Sequence, residues 1–130
     1  MKIKLSSIMV ENQAAALEFY TEVLGFRKSK DIPVGGEFRW LTVVSPEGYP
    51  DVELVLEPNV NPAAKTFQEA MFKQGIPLTA FEVDDIEAEA KRLKKSGVKF
   101  TMDPIQQGPV KLAIFSDTCG NLIQMYQLAA

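Results

Sequence analysis

The chain has 130 residues, 46% of them hydrophobic and 24% charged, with a formal net charge of −3. That length suits one compact domain, or two small halves sharing a core, and the ordinary composition excludes a fibrous repeat or a disordered acidic tail. The modest acidity argues against a nucleic-acid binder, because duplex affinity rests on Lys and Arg neutralising phosphates, and no apolar run is long enough for a membrane span.

Ile3 to Val10 alternates apolar and polar residues and predicts a strand, with no signal-peptide core before it. Asn12 is placed to cap a helix whose apolar face is Ala16, Phe19, Tyr20 and Val23, and Gly25 ends it. A short strand around Phe26 follows, then a loop from Ile32 to Gly36 that contains Pro33. Phe38 to Val44 and Asp51 to Glu57 predict a hairpin. Pro62 to Lys73 predicts a connecting helix with Phe67, Ala70 and Met71 on one face. The plan then repeats. Leu78 to Val83 is a strand, and Asp84 and Asp85 cap a helix with face Ile86, Ala90 and Leu93 that Gly97 ends. Val98 to Met102 is a strand, Asp103-Pro104 opens a loop, and Lys111 to Phe115 with Leu122 to Gln127 form a second hairpin. Matching positions lie 71 to 73 residues apart: Val10 with Val83, Gly25 with Gly97, Glu53 with Gln124. This is a duplicated βαβββ unit, an α+β fold, with module 1 at about 1–58, the connecting helix at about 62–73 and module 2 at about 76–128. Each half is too small to bury enough surface alone, so the expectation is a single domain over 1–130.

The sequence contains no histidine. That removes every Ser-His-Asp or Cys-His pair, the imidazole general base and the two-His-one-carboxylate iron site. The one cysteine, Cys119, has no partner for an intramolecular disulfide and no His to activate it, which suits an inert thiol in a reducing cytoplasm.

Three stretches, Ile8 to Asn12, Phe19 to Phe26 and Asp117 to Gln124, resemble the vicinal oxygen chelate superfamily of glyoxalases, bleomycin resistance proteins and extradiol dioxygenases. The resemblance implies two βαβββ modules whose sheets curl around a cavity, in a homodimer. Strand alternation then turns Leu5, Ser7 and Met9, Trp40 and Thr42, Glu53, Val55 and Glu57, Leu78, Ala80 and Glu82, Lys111 and Ala113, and Leu122, Gln124 and Tyr126 toward that cavity. The candidate ligand-binding residues are Ser7, Trp40, Glu53, Glu82, Lys111, Gln124 and Tyr126. Each has a plainer alternative. Glu53 and Glu82 can be solvated carboxylates, Trp40 a cavity filler or dimer seam, Gln124 a backbone partner, and Lys111 a solvated edge-strand lysine.

The four positions that match the family's metal ligands are Leu5, Glu53, Leu78 and Gln124. Two leucines offer no donor atom, so neither a metal nor another cofactor is expected, although Glu53, Glu57 and Glu82 leave a non-family site open. The favoured function is metal-free binding of an unidentified small molecule. Two alternatives stand beside it: a lyase or isomerase with Glu53 as base and Gln124 or Lys111 stabilising charge, and a structural dimer module with a vestigial cavity.

Overall fold

The computed structural model describes residues 1–129. In chain order the elements are β1 (Leu5–Val10), α1 (Gln13–Glu18) continued by a π-helical turn (Phe19–Val23), β2 (Arg27–Gly35), β3 (Phe38–Val44) and β4 (Glu53–Pro58). Then come α2 (Pro62–Lys73), β5 (Thr79–Glu82), α3 (Ile86–Lys95), β6 (Phe100–Gln107), β7 (Val110–Ser116) and β8 (Leu122–Leu128). The chain divides into two compact units, Met1–Thr66 and a second beginning at Phe67, so the boundary falls inside α2. Each unit carries one four-stranded mixed sheet, in the orders β1-β4-β3-β2 and β5-β8-β7-β6, with its first and last strands parallel. This is the α+β, twice-repeated βαβββ architecture that the sequence predicts.

Both first helices start the same way. The Asn12 side chain accepts from the Ala15 amide at 2.9 Å, and the Asp85 side chain accepts from the Ala88 amide at 3.1 Å, each satisfying one orphan donor of a first turn. Both stop the same way too, with Gly25 at φ +89° and Gly97 at φ +88°, a conformation that costs a residue with a Cβ. Ala16, Phe19 and Tyr20 are buried against one face of the first sheet with Ile8, Val10, Leu41, Val43 and Leu56. Ile86, Ala90 and Leu93 are buried against one face of the second with Ala113, Phe115, Ile123 and Met125. Each large apolar side chain so enclosed contributes about 1.5–3 kcal/mol. The opposite face of each sheet, turned away from its helix, is called the open face below.

Three expectations need correction. The stretches at Ile32–Gly36 and Asp103–Pro104 are not loops apart from Gly36, which lies in the turn after β2, because β2 runs to Gly35 and β6 runs through Asp103 and Pro104, both with shifted register. Both are edge strands, where a proline's missing N–H costs no ladder bond. On α2 the buried residue is Gln68, with Ala64 and Met71 half-buried, whereas Phe67 and Ala70 are exposed. The helix is therefore rotated about one position from its apolar pattern, because the Gln68 amide has buried acceptors to meet.

Candidate functional site

Side chains on the open face of the first sheet are set by register. Leu5, Ser7 and Met9 lie beside Glu53, Val55 and Glu57 of β4, Thr42 pairs with Val55, and across β2 Lys30 pairs with Thr42 and Ile32 with Trp40. Alternation thus puts Ser7, Trp40 and Glu53 on one face of the sheet, with Trp40 toward the Glu57 end. A polar network occupies the middle of this face. The Thr42 hydroxyl donates to Glu53 Oε1 at 2.6 Å and accepts from the Lys30 amide at 3.1 Å. The Lys30 ammonium donates to both Glu53 oxygens, each at 2.7 Å. The Lys30 ammonium first, and the Thr42 hydroxyl second, hold the Glu53 carboxyl below the usual carboxylate range against the opposing effect of desolvation, with Ser29 adding a smaller push. One rung further along, the Ser7 hydroxyl donates to Glu57 Oε1 at 3.0 Å. Lys30 escaped the sequence reading because it lies in a strand stretch given to no element.

The open face of the second sheet is more apolar. Gln124 pairs with Ala80 and Ile114, Tyr126 with Glu82 and Leu112, and Met102 and Ile105 extend the face onto β6. Gln124 and Tyr126 are half-buried and Glu82 is exposed. The Tyr126 hydroxyl donates to Glu82 Oε1 across 3.4 Å, and burial together with the Glu82 charge pushes its pKa upward. Gln124 has no side-chain hydrogen bond among the described residues.

Lys111 does not join this face. It pairs with Gln127, and its ammonium lies 3.6 Å from Glu87 on α3, on the helix side of the sheet. Ala113, which pairs with Met125, turns the same way. The cause is a single residue. Thr42 pairs with Val55, but their counterparts Leu112 and Tyr126 stand one residue further apart in sequence. An odd slip exchanges the two faces of a strand, so Leu112 and Ile114 occupy the open face.

The fit to a divalent metal fails on the donors. Leu5 stands beside Glu53, and both Glu53 oxygens already accept from Lys30. Beside Gln124 stands Ala80, not Leu78, whose amide instead bonds the Leu122 carbonyl. The register differs here by two residues, which preserves the face and again supplies no donor. Among the described residues no three His, Cys, Asp or Glu side chains gather where they could hold a metal ion.

The Asp117-to-Asn121 stretch is architectural. Buried Asp117 accepts from the amides of Cys119 at 2.7 Å and Asn121 at 3.0 Å, and from the Asn121 side chain at 2.8 Å. The Gln68 side chain donates to the Cys119 carbonyl at 3.3 Å and to Asn121 Oδ1 at 3.0 Å. Cys119 itself is buried.

The model of the Glyoxalase/Bleomycin resistance protein/Dioxygenase superfamily matches residues 2–125. The chain belongs to that superfamily. It is 54% identical over 127 residues to the uncharacterized protein YurT of Bacillus subtilis (strain 168), covering 98% of this chain and 99% of that one. Among solved structures it is similar to UcmS2, with a TM-score of 0.82, 31% identity and 97% of both chains covered. It is also similar to TnmS3, described as an antibiotic binding protein from Streptomyces sp. CB03234, with a TM-score of 0.77 and 30% identity over 99% of this chain and 97% of that one.

Proposed function

We propose that this superfamily member binds a small aromatic molecule without a metal, on the open faces of its sheets. The observation that carries this reading is the state of Glu53. A general base needs a pKa raised toward neutrality and a free lone pair aimed at substrate. Glu53 departs on both counts: its pKa is lowered, Lys30 bonds both of its oxygens, and Thr42 bonds Oε1 as well. The likeness to TnmS3, an antibiotic binding protein, supports the same reading; the first open face offers Trp40 beside its polar network, and the second offers Leu112, Ile114 and Tyr126 as apolar contacts.

A homodimer belongs to this proposal. Leu5, Phe67 and Phe72 are exposed to 45%, 55% and 43%, and a second copy would cover such apolar surface. So does residence in the cytoplasm, which suits a single buried thiol. Among the described residues no helix is long and apolar enough to cross a membrane.

Thermal melting tests the reading. Ni, Zn, Mn and Mg should leave the midpoint unchanged. A planar aromatic ligand at one hundred times its Kd should stabilise by about 2.7 kcal/mol, a rise of several degrees for a domain of this size. About one metal per chain after dialysis, with stabilisation that Glu53→Ala abolishes, would overturn it. Light scattering that gives the mass of one 14.4 kDa chain would overturn the dimer.

A further inference from the structure

We infer that Lys30 is a ligand anchor, whose ammonium takes an uncharged oxygen acceptor of an aromatic ligand, an aryl ketone, on the open face of the first sheet. The inference rests on the binding reading above and names the ligand class for that face. An edge-strand lysine that merely deters strand pairing extends its ammonium into solvent. This one is held in place: its Nζ reaches both oxygens of Glu53, Thr42 locks Glu53 from the other side, and the Lys30 amide closes the ring of hydrogen bonds on the Thr42 hydroxyl. An ammonium has three donors. Two go to Glu53, and the third has no protein acceptor among the described residues, on a side chain that is 47% exposed.

Charge selects the partner. Glu53 and Lys30 cancel, so an incoming anion meets the Glu53 carboxylate almost as closely as the ammonium, and an incoming cation meets the ammonium itself. A neutral carbonyl accepts the remaining N–H without either repulsion. Glu57, two residues beyond Val55 and so in the Trp40 row, is a second carboxylate on this face and adds to what an anionic ligand would meet. The apolar half of the ligand has a surface beside it. Ile32 and Trp40 are paired one step along the same face, 51% and 36% exposed, at the diagonal spacing of about 7–8 Å that an aryl ring spans. The second sheet repeats the backbone but not the anchor, because Leu112 and Gln124 stand where the first has Thr42 and Glu53.

Equilibrium dialysis of the full chain against 2-acetonaphthone, 2-ethylnaphthalene and 2-naphthylmethylamine tests the inference. The ketone should bind at least tenfold more tightly than the hydrocarbon and than the amine. Lys30→Met should bring the ketone to the affinity of the hydrocarbon, while Lys30→Arg, which keeps the donors, retains most of the preference. If ketone and hydrocarbon bind alike to the parent, or the preference survives in Lys30→Met, the anchor is wrong while aromatic binding stands. If none of the three binds, both the anchor and the binding reading fall.

Discussion

The two units fold one plan and differ in where each keeps its polar groups. The first places Lys30, Thr42 and Glu53 on its open face, and joins β3 to β4 through an exposed turn in which Tyr49 is 79% accessible. The second has an open face of Leu112, Ile114, Gln124 and Tyr126, and buries its polar cluster in the β7–β8 connection, where Asp117, Asn121 and Gln68 satisfy one another. A βαβββ backbone therefore fixes which positions share a face, while the residues at matched positions decide whether that face reads charge or apolar shape. The duplication leaves the first unit with a polar open face and an exposed turn, and the second with an apolar open face and a buried polar turn.

The largest test of that contrast is Asp117→Ala. It leaves two buried amides and the Asn121 side chain without their acceptor, and should cost about 3 kcal/mol in urea unfolding. Ser45→Ala in the corresponding turn of the first unit should change stability by less than about 0.5 kcal/mol. Equal losses would erase the distinction between the two turns. Next come the two buried glutamines. Gln13 donates to the Arg39 and Leu56 carbonyls, both at 2.8 Å, and accepts from the Arg39 amide at 3.0 Å, while Gln68 clamps the second unit's turn. Alanine at either should cost about 2 kcal/mol, since both bridge backbone groups that lose water on folding.

The open faces should also respond at opposite ends of the pH scale. The folded pKa of Glu53 is below its ordinary 4.5, so the folded state holds that proton less tightly than the unfolded chain. Its stabilisation is complete above pH 4.5 and is lost as pH falls through the folded value. Tyr126 has the reverse sign. Its folded pKa is raised above 10.0, so its contribution is complete below pH 10.0 and is lost as pH rises through the folded value. Glu53→Gln should flatten the acid limb of a stability–pH curve, and Tyr126→Phe the alkaline limb, with neither altering the other. Both effects are small because the groups are near solvent.

Much of this was legible in the chain. The caps Asn12 and Asp85, the stops Gly25 and Gly97, and the apolar rows Ala16–Phe19–Tyr20 and Ile86–Ala90–Leu93 are local signals, and they name the helices without tertiary help. Alternation placed Ser7, Trp40, Glu53, Glu82, Gln124 and Tyr126 on open faces for the same reason. What failed depends on pairing across the chain. A proline reads as a break until the strand is known to lie at an edge, as at Pro33 and Pro104. Lys30 has no motif, and its meaning arises only when β2 pairs with β3 and carries it to Glu53.

Lys111 gives the smallest effect and the sharpest check on register. With the duplication offset held constant it falls on the open face opposite Leu128, and its ammonium would be a ligand clamp. The observed pairing, one residue away, puts it opposite Gln127, with Glu87 as its partner at 3.6 Å. Both side chains of that pair are well exposed, so solvent screening leaves it worth no more than about 0.5 kcal/mol. Lys111→Ala should therefore leave the melting point within about 2 degrees and the affinity for any aromatic ligand unchanged. Leu112→Ala should weaken binding of a ligand on the second open face severalfold, since it removes apolar contact from that face. If Lys111→Ala weakened binding and Leu112→Ala did not, β7 would carry the opposite face outward, and Ala113 and Phe115, now buried with Met125 and Ile123 against α3, would have to change places with Ile114 and Leu112.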